Sequence, residues 1–297
     1  MNKQGYTFAS ATSTTAKALL LGAALSATGG AYAAGDKGDV TLAYVEWSSE
    51  VASTNVVKAV LEEQGYNVEL KSLSAAAMWQ AVAFGDADGM VAAWLPTTHE
   101  DYMKKVSAKI EDLGVNLDGT KLGLVVPTYS KLNSIEDLKT QGDDIDDRII
   151  GIEPGAGLTR LTEKVVEDYG LEDIDLRTGS GATMTAALNN AIKGKRDIVV
   201  TGWTPHWMFA RWDLKYLDDP KNVYGGAEQI HTIARLGLKE DMPEVYSILD
   251  NFHWTPEQMG QVMLKNQEKD ADPYENAKAW VDSHPDIVKG WLPATAQ

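Results

Sequence analysis

Three of the nine tryptophans occupy one kind of position. Trp47 ends Leu42-Ala43-Tyr44-Val45-Glu46-Trp47, Trp94 lies in Ala92-Ala93-Trp94-Leu95-Pro96, and Trp203 lies in Val199-Val200-Thr201-Gly202-Trp203-Thr204-Pro205. Each follows or closes an apolar strand-like run, so each belongs at the carboxyl end of a strand, where α/β folds present their ligand contacts. An indole at the wet edge of a cleft is costly unless something covers its face. The chemistry it suits best is the grip on a quaternary ammonium, whose diffuse charge has no N–H to donate and favours aromatic faces. Any one of these rings taken alone is as well explained by packing. Three at equivalent positions make an aromatic cage a specific alternative, whereas Trp79, Trp254, Trp280 and Trp291 sit in helical or tail contexts and read as packing.

A second element is the glycine-rich turn Glu153-Pro154-Gly155-Ala156-Gly157-Leu158-Thr159, which leads from a strand into a helix. Backbone N–H groups at a helix start bind anions with help from the helix dipole. The turn has no G-K-[ST] and is too short for a nucleotide phosphate loop, and many α/β turns look like it. His99 lies five residues beyond Trp94, but a lone histidine is more often capped or solvent-facing than a ligand contact. His206, His231, His253 and His284 show no metal-ligand spacing, and no metal site or cofactor is expected. A G-x-S-x-G elbow is also missing, so nothing argues for an enzyme.

These residues need elements to hold them. Strand-like runs at 40–45, 68–73, 89–94 and 122–126 alternate with helical spacing, as over 51–64 before Gly65, the mark of α/β architecture. A second set follows: a strand at 149–152, a helix over 158–169 before Gly170, and strands at 174–176 and 198–201. The halves resemble each other in letters. Ala75-Ala76-Ala77-Met78 followed by Ala93-Trp94-Leu95-Pro96 parallels Gly181-Ala182-Thr183-Met184 followed by Gly202-Trp203-Thr204-Pro205. Two such lobes facing each other make a cleft. A strand at 231–236 and helices at 243–252, 256–266 and 273–282, each opened by proline, are expected to return to the first lobe. Lobe 1 is then 39–126 plus 235–297, lobe 2 is 127–234, and the two crossings form a hinge.

Composition bounds the partners. The 297 residues carry 27 Lys plus Arg against 43 Asp plus Glu, a formal net charge of −16, which argues against nucleic acid as a partner. The absence of cysteine excludes disulfides, thiol nucleophiles and Cys-ligated metals. Residues 1–33 contain Lys3 and Lys17, no acid, a short apolar run and a final Ala31-Tyr32-Ala33, the pattern of a cleavable signal peptide. The run is too short for a membrane anchor. Export without cysteine points to the periplasm.

The strings Ala43-Tyr44-Val45-Glu46-Trp47, Ala93-Trp94-Leu95-Pro96-Thr97-Thr98-His99, Gly151-Ile152-Glu153-Pro154-Gly155-Ala156-Gly157 and Thr201-Gly202-Trp203-Thr204-Pro205-His206-Trp207-Met208-Phe209 resemble those of a known family. This is the glycine betaine/proline betaine substrate-binding proteins of osmoprotectant ABC importers, and the resemblance runs from about Asp39 to about Trp291. It implies an α/β, two-lobe periplasmic binding protein of type II-like fold, with the ligand in the interlobe cleft. It further implies a three-tryptophan box for the trimethylammonium head at Trp47, Trp94 and Trp203. The ligand's carboxylate would meet the backbone amides of Gly157 and Leu158 and the ring of His99. The implied partners are a betaine osmolyte and the permease and ATPase subunits of the importer, with the binding protein a monomer.

Magnitudes explain why both ends of such a site are needed. A desolvated cation–π contact is worth about 2 kcal/mol, so three rings give roughly 6 kcal/mol at most. Micromolar binding takes about 8 kcal/mol, before ordering costs. Charge-assisted hydrogen bonds to a carboxylate, at about 1.5–3 kcal/mol each, make up the difference. A choline or carnitine binder of the same fold is the alternative. Choline has no carboxylate and would need an acidic counter-group, for which Glu46 and Glu50 are the near candidates.

Overall fold

The computed structural model describes residues 37–294, so the expected leader over 1–33 lies outside the described residues. The first half runs β1 (Asp39–Tyr44), α1 (Ser48–Glu63), β2 (Asn67–Ser72), α2 (Ala75–Phe84), β3 (Gly89–Leu95) and α3 (Glu100–Val106). A long strand, β4 (Ile110–Pro127), leads into the second half: α4 (Leu138–Gln141), β5 (Arg148–Ile150), α5 (Gly157–Tyr169), β6 (Asp175–Arg177), α6 (Gly181–Lys193), β7 (Val199–Thr204), α7 (Met208–Arg211) and β8 (Leu214–Tyr216). The chain then returns through β9 (Glu228–Arg235) to α8 (Leu238–Asp241), α9 (Pro243–Asn251), α10 (Pro256–Lys265), α11 (Pro273–Ser283) and α12 (Pro285–Lys289).

The strand order is β2-β1-β3-β9-β4-β7-β5-β6, with β8 beside β4. Each half repeats one unit. β1 pairs in parallel with β2 and β3, and β5 pairs in parallel with β6 and β7. The third strand of each unit then meets an antiparallel neighbour, β3 with β9 and β7 with β4. The repetition seen in the letters is therefore a repetition of topology. It sets Trp94 and Trp203 at the ends of corresponding strands, each two residues before a cis proline, Pro96 and Pro205.

Apolar alternation gives way to continuous burial where a strand is covered on both faces, and all seven residues of β3 are buried. α1 is buried around most of its circumference because α10 and α11 cover the side that β2 and β3 leave. It stops where Gly65 takes a positive φ of 94° that other residues rarely adopt.

One expectation differs in detail. The strand read at 122–126 is the last third of an 18-residue β4, which begins at Ile110. Gly114 and Gly119, both at positive φ, and polar residues between them look like a loop in the sequence; in the fold they carry bulges that bend a continuing strand along β9. β4 changes partner between Thr120, paired with β9, and Lys121, paired with β7, and β9 lies between β3 and β4.

Candidate functional site

A small cavity of about 20 Å³ lies where β3, β7 and the starts of α1 and α5 converge. Trp47, Trp94 and Trp203 line it, and their rings are 3–7% exposed. Leu122, Ile152, Ala156 and Leu158 complete an apolar wall, with Thr98 the one polar side chain. Such a lining offers aromatic faces to a cation and almost no hydrogen bonds, which suits a head group that makes none.

The indole N–H groups all point away into fixed partners. Trp94 Nε1 donates to Glu50 Oε1 at 2.7 Å and Trp47 Nε1 donates to Glu153 Oε1 at 2.5 Å. Trp203 Nε1 reaches Ser49 Oγ at 3.3 Å, and that hydroxyl donates to Glu50 Oε2 at 2.5 Å. Two of these links join the halves: Trp47 of the first to Glu153 of the second, and Trp203 of the second to Ser49 of the first. The rings are thus held by hydrogen bonds at their polar edges.

His99 is fully buried beside this box, its ring centroid 5.7 Å from that of Trp47. Its Nδ1 accepts from the backbone N–H of Trp94 at 3.1 Å. Burial, with the Arg160 charge adding to it, pushes the ring's pKa down to about 3, so the imidazole is neutral. With Nδ1 as acceptor the proton resides on Nε2, and that buried N–H has no partner among the described residues. A buried donor left unsatisfied costs about 1–3 kcal/mol, so it is a place where an acceptor from outside is favoured.

The start of α5 has the same character. Ala156 caps it with no side-chain hydrogen bond, and Gly157, Leu158 and Thr159 are buried. The first N–H groups of a helix have no intrahelical acceptor, and here they stand in an apolar wall. Gly157 is required by contact: a Cβ there would overlap the carbonyl oxygen of Thr98 in the opposing half. That opposing loop is itself pinned. The buried carboxylate of Glu228 accepts from the N–H groups of Thr97 and Thr98 at 2.5 and 2.7 Å and from the Thr98 hydroxyl. Arg160 holds its carbonyls from the other side, at 3.3 and 3.4 Å, and the Tyr102 hydroxyl donates to the Gly155 carbonyl.

With this geometry in place, the comparisons with known proteins are specific. Residues 38–283 match the family model described as the substrate-binding domain of ABC-type glycine betaine transport systems. The chain belongs to this family. A glycine betaine/carnitine transport binding protein of Listeria monocytogenes is 54% identical over 155 residues, 52% of this chain and 51% of the relative, so the match spans about half the length of that protein. The lactococcal OpuAC crystal structure, closed and complexed with glycine betaine, has 47% identity and a TM-score of 0.82 over 86% of this chain and all of that one. An ABC-transporter choline-binding protein in complex with choline has 29% identity and a TM-score of 0.80 over 85% of this chain and 91% of that one. The fold of this family member is the α/β two-lobe binding-protein fold.

Of the six site residues expected from sequence, Trp47, Trp94, Trp203 and Leu158 line the cavity, while His99 packs behind Trp47 and Gly157 against Thr98. Trp79, Trp254, Trp280 and Trp291 are buried away from the lining; the last three stack with Phe252 and His284 under the C-terminal helices. Sequence reasoning missed the apolar wall, because Leu122 and Ile152 at strand positions are indistinguishable from core. It also missed Ser49, Glu153 and Glu228.

Proposed function

We propose that the protein captures glycine betaine or a closely related carboxylate-bearing quaternary ammonium and delivers it, unchanged, to a membrane permease driven by an ATPase subunit. The trimethylammonium head rests among Trp47, Trp94 and Trp203. The carboxylate accepts from the N–H groups of Gly157 and Leu158 and from Nε2 of His99. The single observation that carries this reading is the unpartnered, fully buried Nε2–H of His99 beside the aromatic box. A cage alone would serve any quaternary ammonium; an orphaned donor next to it selects one that carries an acceptor. The family's description supports the betaine class.

In this reading one lobe comprises β1–β3, β9 and α8–α12, the other β5–β8 with α5–α7, and β4 is shared. Trp47 and Trp94 come from the first and Trp203, Gly157 and Leu158 from the second, so a ligand is gripped only when the lobes are together. The protein works as an exported monomer in the periplasm. Among the described residues no helix is long and apolar enough to cross a membrane.

Titration calorimetry with glycine betaine, proline betaine, carnitine and choline tests the assignment. Choline forgoes the carboxylate bonds and leaves the donors unpaired, so it should bind at least tenfold more weakly than glycine betaine, on the order of the cost of one unsatisfied buried donor. Choline binding as tightly would remove the anion site. Recovery of unmodified ligand after prolonged incubation separates capture from catalysis.

A further inference from the structure

Glu50 is a carboxylate sealed inside the protein, 0% exposed, in the first turn of α1. It accepts from Trp94 Nε1 and from Ser49 Oγ, and among the described residues no lysine, arginine or histidine forms an ion pair with it. A buried acid without a cation is unfavourable in its charged form, because desolvation is uncompensated. Yet this acid backs two of the rings that line the cavity, one from each half: Trp94 directly and Trp203 through Ser49. We propose that Glu50 is the counter-charge of the bound quaternary ammonium, acting through the indole of Trp94, so that ligand capture drives a proton off this carboxyl into solvent. The inference rests on the quaternary-ammonium reading of the cavity.

The physical chain is short. A permanent cation against the face of Trp94 favours a negative charge at the ring's N–H edge, both by direct attraction in a dry site and because an indole donating to a carboxylate has a more electron-rich face. In the free protein burial lifts the Glu50 pKa to about 7, with the Ser49 and Trp94 bonds only partly offsetting it. The carboxyl is therefore partly protonated near neutrality, and a neighbouring cation pulls it toward the ionised form. Glu50 touches no ligand atom in this scheme; it is a positioning residue that reads the charge of the head group.

Other titratable groups around it do not change state in the same window or lie elsewhere. His99, on the loop after β3, and His206, beyond β7 with its ring 4.5 Å from that of Trp203, are both held neutral by burial, with pKa values near 3. Glu153 faces the cage only through Trp47, Glu46 is bonded to the Tyr44 hydroxyl, and Arg160 lies beyond His99. The groups that α11 brings to α1, Tyr274, Lys278 and Asp282, meet Glu62 and Glu63 at the far end of that helix.

Calorimetry of glycine betaine binding at about pH 7, run in phosphate and in Tris, reads the proton directly, because the buffer takes up each released proton and contributes its heat of protonation, which is far more exothermic for Tris than for phosphate. The wild-type protein should show different apparent enthalpies in the two buffers, in the sense of proton release. Its affinity should rise roughly three- to tenfold from pH 6 to pH 8, within the limit of tenfold per unit for one linked proton. Glu50→Gln keeps an amide oxygen to accept from Trp94 and carries no titratable proton; its enthalpies should coincide and its affinity should be flat with pH. Ser49→Ala removes a hydrogen bond but not the acid and should still release a proton. Equal enthalpies in wild type, or release that persists in Glu50→Gln, would overturn the proposal, and the wild-type comparison decides even where the variant does not fold. Failure of wild type to bind glycine betaine in either buffer would instead strike the betaine reading.

Discussion

The ends of β3 and β7 are copies in backbone and opposites in chemistry. Each carries a tryptophan at the corresponding place, followed by a cis proline and then a buried histidine, His99 or His206. At the β3 end, Trp94 donates directly to a buried carboxylate, His99 keeps an unpartnered N–H, and Glu228 pins the loop. At the β7 end, Trp203 makes only the long bond to Ser49, and His206, whose Nδ1 accepts from the Met208 N–H as His99 Nδ1 does from that of Trp94, packs in a T-shaped contact with Trp203. The symmetric part, a ring from each strand end in one cavity lining, suits a head group that is itself nearly symmetric. The asymmetric part gives the cavity a direction. A duplicated unit supplies a cage cheaply; only divergence between the copies can tell a betaine's two ends apart.

Substitutions at matched positions break that comparison in order of size. Ala at Trp94 or Trp203 should weaken glycine betaine binding by about 2 kcal/mol each, roughly thirtyfold, with Phe milder because a π face remains. Unchanged affinity in both would remove the cage. Next, His99→Ala should lose about 1.5–3 kcal/mol toward glycine betaine and little toward choline, whereas His206→Ala should leave the ratio of the two ligands unchanged. Equal behaviour of the two histidine variants in titrations would mean that the divergence between strand ends carries no specificity.

A smaller effect concerns acid stability. Both histidines have pKa values near 3 when folded, against 6.5 for an unperturbed imidazole. Between those values the unfolded chain binds more protons than the folded one, so their contribution to stability falls as pH drops through about 6.5 toward 3. Glu50, raised from 4.5 to about 7, acts in the opposite sense, favouring the folded state at the acid end of its own window. Thermal melts of the His99→Gln, His206→Gln double variant should therefore show a shallower acid limb than wild type; superimposable limbs would contradict the assignment of neutral buried rings. Smallest of all, Trp280→Phe should change ligand affinity less than about twofold while lowering the melting temperature, since its ring belongs to the C-terminal stack and sets the baseline for a purely structural tryptophan.

Much of this arrangement is legible in the letters. Strand-end tryptophans and repeated strings reveal the duplicated unit, because the same letters recur at equivalent places in both halves. The length of β4 is hidden, since Gly114 and Gly119 read as breaks and only the ladder to β9 shows that the strand passes through them. Glu50 is visible only as an acid near a ring; its burial and its two donors are properties of packing that no local pattern encodes. His99 is likewise ambiguous until the Trp94 N–H occupies one ring nitrogen and leaves the other bare.

The account's central claim is that the cavity has a cationic end and a separate anionic end. A crystal structure of the protein with glycine betaine tests it most directly. The claim predicts the trimethylammonium among the faces of Trp47, Trp94 and Trp203, and the carboxylate within hydrogen-bond distance of Gly157 N, Leu158 N and His99 Nε2. A ligand turned end for end, or a carboxylate directed to solvent with His99 Nε2 still unpartnered, would contradict it.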